Sequence, residues 1–184
     1  MKIVFATNNK HKVKEIKDLL NSKIKVLTLN DIGCFEEIEG NAKIKSDHVK
    51  NKYGYDCFAD DTGLEVEALG GVPGVYSARY AGENASFEDN VNKLLKALEG
   101  ESNRKARFRT VISLQLNGKQ EFFEGICNGK IELVPKGAEG FGYDPIFTPN
   151  GFDMSFAEMD LSTKGKISHR GRAVAKLVEF LKIK

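Results

Sequence analysis

The chain has 184 residues, 41% of them apolar and 29% charged, and its 28 basic and 26 acidic side chains leave a formal net charge of +2. This is the balance of one ordinary globular domain with a sizeable core, spanning residues 1–184, and the charge is too small to argue for a stable nucleic-acid complex by bulk electrostatics. No apolar run reaches the length of a membrane span, and the first one is too short and too closely followed by lysines to be a signal peptide. Cys34, Cys57 and Cys127 are odd in number and far apart, which predicts reduced thiols in a cytoplasmic protein rather than a disulfide framework. His11, His48 and His169 lack zinc-site spacing. Any metal is therefore expected to be a hard cation held by carboxylates.

In chain order, Lys2 to Ala6 reads as a buried strand, and Thr7-Asn8-Asn9-Lys10-His11-Lys12 leads from it into a helix with Val13, Ile16, Leu19 and Leu20 on one face. An N-cap accounts for one of the three polar residues at that start. Free N–H groups, the helix dipole and the lysines together make a phosphate seat, although the glycines of a P-loop are missing. Lys25 to Leu29 reads as a second strand, followed by an irregular acidic segment, Asp31 to Glu39. A second helix is predicted from Asn41 to about Tyr53, with Ala42, Val49 and Tyr53 on one side. Glu36, Glu37 and Glu39 just before it either reach a metal held by Asp61 or simply favour a helix N-terminus.

The next stretch carries the chemistry. Cys57-Phe58-Ala59 fits the end of a buried strand, Asp60 and Asp61 follow at once, and Thr62-Gly63 is a turn signal. Side chains alternate across a strand, so adjacent carboxylates face different partners unless the chain bends. One is then structural and the other faces outward at a strand end, where α/β proteins place ligands. Acids leaving an apolar strand are costly to bury unpaired, and a cation is their natural partner; a solvated turn is the plainer alternative.

Ser86-Phe87-Glu88-Asp89 has the form of a capping box, and Val91, Leu94, Leu95 and Leu98 give the helix after it an apolar stripe that ends at Gly100. Ala106 to Leu116 alternates as a long strand with one wet face. Asn117-Gly118 signals a hairpin, and Gln120 to Cys127 is its return. Arg107 and Arg109 either read an anion or merely decorate the exposed face, the second being the cheaper explanation. Gly140-Phe141-Gly142-Tyr143-Asp144-Pro145 leaves the Phe141 ring uncrowded, which suits a flat aromatic ligand or, equally, a turn with a core aromatic. Ser168 is a predicted N-cap for the last helix, with Ala173, Val174, Leu177, Val178 and Leu181 as its apolar stripe. His169 and Arg170 place two donors where the helix dipole disfavours positive charge, and an anionic or carbonyl-rich ligand, or solvent, would compensate.

Thr7-Asn8-Asn9-x-x-Lys12, Ala59-Asp60-Asp61-Thr62-Gly63-Leu64, the run from Gly70 to Tyr80, Gly140 to Pro145 and Ser168-His169-Arg170-Gly171 occur in the order seen in the inosine/xanthosine triphosphate pyrophosphatases. The chain resembles that family over essentially its whole length. The resemblance implies a mixed α/β fold, an elongated central mixed sheet flanked by helices in two lobes with the site between them. It also implies a homodimer and Mg²⁺-dependent hydrolysis of ITP, dITP or XTP to the monophosphate and pyrophosphate. By that likeness Asp61 is the general base and a metal ligand. Thr7, Asn8, Asn9, Lys10, His11, Lys12, Thr62 and Lys164 contact triphosphate and sugar, and Phe141, Gly142, Tyr143, Asp144, His169 and Arg170 enclose the base. Many relatives carry a metal-binding Glu directly before the Asn-Ala of the second helix. Here Gly40 holds that place and Glu39 stands one residue earlier. A non-catalytic nucleotide- or RNA-binding module, and a pyrophosphatase for other modified nucleotides, are the competing readings.

Overall fold

The computed structural model describes residues 2–5, 25–28 and 38–182. The predicted phosphate seat at Thr7, Asn8, Asn9, Lys10, His11 and Lys12 lies outside the described residues, as do Glu36 and Glu37. A parallel ladder pairs β1 (Lys2–Phe5) with β2 (Lys25–Thr28), Lys2 opposite Lys25 and Phe5 opposite Thr28. After α1 (Ile38–Tyr53) come β3 (Cys57–Val66), β4 (Pro73–Gly74) and α2 (Phe87–Ala97). The hairpin β5 (Lys105–Leu116) and β6 (Lys119–Ile131) follows, then β7 (Phe147–Pro149), α3 (Leu161–Ile167) and α4 (His169–Lys182). The mixed α/β class holds. The parallel and antiparallel pairings sit in separate ladders, the second a five-stranded antiparallel sheet in the order β4-β3-β5-β6-β7.

Alternation decides what each sheet face meets. Register sets Leu64 against Phe108 and Val66 against Ala106, and this face buries them with Val91, Leu94 and Leu98 of α2 and with Phe147 and Phe156. Further along the same face Ile112, Leu114 and Phe123 close on Ala173 and Leu177 of α4. The other face carries Val111, covered by Ile38 and Ala42 of α1. A Cβ on Gly125 would fall 2.0 Å from the carbonyl oxygen of His169 and 2.6 Å from the Ala173 nitrogen. The first turn of α4 therefore lies directly on β6, and that contact fixes where His169 and Arg170 emerge.

The hairpin forms as expected: Asn117 and Gly118 both have positive φ, 51° and 75°, the backbone a two-residue turn of this twist needs. The return strand runs on to Ile131, four residues beyond expectation. The Ser86 box is also present, its hydroxyl accepting from Asp89 N–H at 3.1 Å while the Asp89 carboxylate accepts from Ser86 N–H at 2.9 Å. Three expectations need correction. Helix α1 starts at Ile38, not Asn41, which puts Glu39 in its first turn, and its buried stripe is Ile38, Ala42 and Ser46. Tyr53 is exposed. The stripe escapes an apolar pattern because its last member is a serine, hydrogen-bonded to Ser113 at 2.8 Å. Only Ala173 and Leu177 of the α4 stripe are buried; Val174, Val178 and Leu181 are exposed. Helix α3 was not anticipated; Asp160 caps it, accepting from Thr163 N–H at 2.9 Å.

Candidate active site

No turn forms at Thr62-Gly63. Strand β3 runs straight through, Asp61 opposite Val111 and Thr62 opposite Thr110. Gly63 serves here for its size: a Cβ would meet the Gly74 carbonyl oxygen at 2.6 Å and Ile38 Cδ1 at 2.8 Å. The two acids obey alternation and face different partners. Asp61 points to α1, where Lys45 donates to its Oδ1 at 2.6 Å and Asn41 to its Oδ2 at 3.1 Å. Lys45 also reaches the Asp60 carbonyl at 2.8 Å. Asp60 points to the opposite face and accepts from Arg170 Nε at 3.3 Å. In this structure each acid pairs with a basic side chain of the protein, Asp61 with Lys45 and Asp60 with Arg170. Asp60 in turn answers the unfavourable charge at the start of α4.

Asn41 and Lys45 sit one helical turn apart and share the face that meets Asp61, whereas Glu39 is exposed, about 200° around the axis from Asn41. Among the described residues no three or more His, Cys, Asp or Glu side chains are grouped to hold an ion.

Beside this strand lies a cavity of about 150 Å³, and eight of the predicted residues line it: Thr62, Phe141, Gly142, Tyr143, Asp144, Lys164, His169 and Arg170. Three segments deliver them. Thr62 comes from β3, where its hydroxyl bonds the Thr110 hydroxyl at 2.6 Å and receives Arg170 Nη2 at 3.3 Å. The glycine-rich loop splits its aromatics by role, Phe141 exposed over the cavity and Tyr143 buried in the core, its hydroxyl donating to the Ser77 carbonyl at 2.9 Å. Burial pushes the Tyr143 phenol up. Asp144, 3% exposed, accepts from Phe141 N–H at 2.8 Å and forms a short ion pair with Lys164. The Lys164 ammonium lies 5.6 Å from the Phe141 ring centre and the Arg170 guanidinium 5.8 Å, within cation–π range.

Ser168 caps α4 as expected, its hydroxyl accepting from Gly171 N–H at 3.1 Å. His169 is buried and stacks on Phe108, ring centres 4.5 Å apart. Burial, then the neighbouring Arg170 and Lys164, lower its pKa to about 3. The imidazole is thus neutral at pH 7, one nitrogen a donor and the other an acceptor. Its Nδ1 has no hydrogen-bond partner among the described residues.

This histidine makes stability pH-dependent. Its folded pKa lies below the unfolded value of 6.5, so the unfolded chain binds the extra proton between those limits. The contribution is complete above pH 6.5 and is lost as pH falls toward 3. Glu132, lowered to about 2 chiefly by its bond from Lys136, acts in the same direction below pH 4.5. Urea midpoints should fall from pH 7 to 4, and His169→Gln should flatten the slope above pH 4.5; an unchanged slope would assign it to other groups.

Arg107 and Arg109 are not at this site. They pair across the sheet with Glu65 and Glu124, the plainer of the two expectations. Asp61 does not line the cavity; it projects from the other face of β3, one residue from Thr62. Strand β4 pairs only with Leu64 and Glu65, so Asp60 to Thr62 are hydrogen-bonded to a strand on the β5 side alone among the described residues. Sequence reasoning passed over Lys45, whose signal was its place one turn beyond Asn41.

The sequence matches the Ham1 family over residues 3–180. A curated relative from Flavobacterium johnsoniae, a dITP/XTP pyrophosphatase, is 57% identical, covering 98% of this chain and 98% of its own. One from Porphyromonas gingivalis, with the same name, is 52% identical over 98% and 97%. Among solved structures, a HAM1 protein from Coxiella burnetii superposes with a TM-score of 0.78 at 36% identity, each chain covered in full. The Staphylococcus aureus Ham1 protein superposes at 0.77 and 39% identity, over 99% of this chain and 98% of its own. The chain belongs to the Ham1 family.

Proposed function

We propose that the chain hydrolyses non-canonical purine nucleoside triphosphates (ITP, dITP and XTP) to the monophosphate and pyrophosphate. The observation that carries the reading is the convergence of Thr62, Phe141, Lys164, His169 and Arg170 on one cavity beside the Asp61 strand. The names of the similar proteins support it. The base lies against Phe141, and neutral His169 with Arg170 offers donors to a 6-oxo group. Adenine, lacking that acceptor, would leave the buried His169 donor unpaired, a mismatch that sites of this kind penalise heavily. The phosphates run across β3 at Asp60 to Thr62, where Thr62 serves one side and Asp61 with Lys45 the other. The Thr7 to Lys12 segment and Lys164 complete the phosphate contacts in this reading. Asp61 accepts the proton of the attacking water, and Lys45 sets a positive charge beside the anhydride.

Of the two carboxylates expected to hold Mg²⁺, Asp61 would hold it, whereas Glu39 is exposed and turned about 200° around α1 from the face that meets Asp61. A single carboxylate from Asp61 fits that ion, because Mg²⁺ characteristically keeps several waters and binds through one or two carboxylates plus substrate phosphates. Bound there, it would neutralise phosphate charge and lower the pKa of a bound water. The proposal extends to a homodimer, checked by sedimentation. A cytoplasmic location is supported by the free thiols Cys57 and Cys127. No described helix is long and apolar enough to cross a membrane.

Pyrophosphate release from ITP, XTP, dITP, GTP, ATP and dUTP, with and without Mg²⁺, tests the reading. The first three should exceed ATP in kcat/KM by about a hundredfold, and chelation should abolish release. Binding without turnover would instead select a non-catalytic module, and preference for dUTP a pyrimidine enzyme.

A further inference from the structure

Phe87 has no place in the mechanism so far. It is the first residue of α2, in the middle of a capping box, and as a residue it is 57% exposed, so it adds little to the core. Single exposed aromatics need no explanation. Phe87, however, faces another exposed aromatic: its ring centre lies 6.0 Å from that of Phe141, the planes tilted by 45°, and both rings line the same cavity.

The cavity's size gives the pair a consequence. About 150 Å³ is the volume that holds one benzene-sized ring, and a purine is two fused rings. A base held between two carbon faces also needs about 3.5 Å on each side, more than the present 6.0 Å separation. The rings must part for a purine to enter, and their surroundings decide which one moves. Phe141 is held through its backbone, its N–H donating to the buried Asp144 carboxylate at 2.8 Å. The backbone of α2 is equally fixed, by the Ser86 cap and by Asn90, whose Oδ1 accepts from Ala81 N–H at 2.7 Å. The Phe87 side chain is not so constrained. A mid-helix ring is barred from one χ1 well by the turn before it, but the first helical residue has no such turn.

We propose that Phe87 is the second aromatic wall of the base slot, swinging about its χ1 on a stationary helix to sandwich the purine against Phe141. The inference rests on the purine-nucleotide reading above and adds a binding residue to it. Stacking tolerates any base, so Phe87 contributes affinity rather than a choice among oxo-purines.

The test compares wild type, Phe87→Ala and Phe87→Trp for kcat and KM with ITP, for inhibition by IMP and by inorganic tripolyphosphate, and for thermal stability. Phe87→Ala should raise KM and the IMP inhibition constant about tenfold, with kcat within about twofold and the melting temperature unchanged. Tripolyphosphate, which has no base, should inhibit the variant as well as it inhibits wild type. Phe87→Trp should keep or lower KM. Unchanged KM and IMP inhibition in Phe87→Ala would overturn the sandwich while leaving the ITP reading intact. Equal weakening of tripolyphosphate would also overturn it, because the ring would then act on the site as a whole. Wild type that neither cleaves ITP nor binds IMP would overturn both.

Discussion

Asp61→Asn should lower pyrophosphate release from ITP by about a thousandfold or more while leaving the fold intact. The loss follows from chemistry: an amide neither accepts the water proton, a contribution of about 10²–10⁴, nor offers the negative charge that holds a hard cation. Survival of the fold follows from the local contacts. The Lys45 side chain is 53% exposed, and ion pairs that open to solvent contribute at most about 1 kcal/mol. Lys45 keeps its bond to the Asp60 carbonyl, and the new amide oxygen can still accept one of the two bonds Asp61 now receives. Turnover and a thermal melt on the same preparation decide the matter. Near-normal turnover would remove Asp61 from the chemistry; a collapsed melt would show that its pairing with α1 is structural instead.

What the sequence revealed of this arrangement depends on how local each signal is. The capping box at Ser86, the Asn117-Gly118 turn and the Ser168 cap are each decided by atoms within four residues, and each forms as written. The eight cavity residues were legible for another reason, as motifs in family order, although nothing local links Thr62 to Lys164. The misses share a cause. Gly63 reads as a turn because glycine permits one, yet here it is small so that β4 and α1 can come close, a demand made by residues far along the chain. Ser46 looks like a helix surface residue until Ser113, 67 positions away, accounts for its burial. Lys45 looks like one more solvated lysine until β3 brings Asp61 to it. Phe87 was read only as part of a helix start, since its facing ring comes from a loop that follows the whole central hairpin.

The second large effect concerns Asp144. Asp144→Ala should destabilise the chain by about 3–5 kcal/mol, because it leaves the Lys164 ammonium, whose side chain is only 15% exposed, without its counter-ion. It also frees the Phe141 N–H, so the loop that presents the aromatic wall loses its anchor, and ITP turnover should fall with stability. A double-mutant cycle separates the two consequences. Lys164→Met alone strands the carboxylate and should destabilise as well. Combining it with Asp144→Ala removes both charges, and the double variant should recover roughly 2 kcal/mol relative to the sum of the single losses. The Phe156 ring, 5.4 Å from the ammonium, offers apolar surface against which a methionine can pack. Turnover should not recover, since no acceptor is restored for Phe141 N–H and no cation for the substrate. Additive losses in urea denaturation would show that Asp144 and Lys164 are not coupled. Recovery of activity together with stability would show that the pair serves the fold alone.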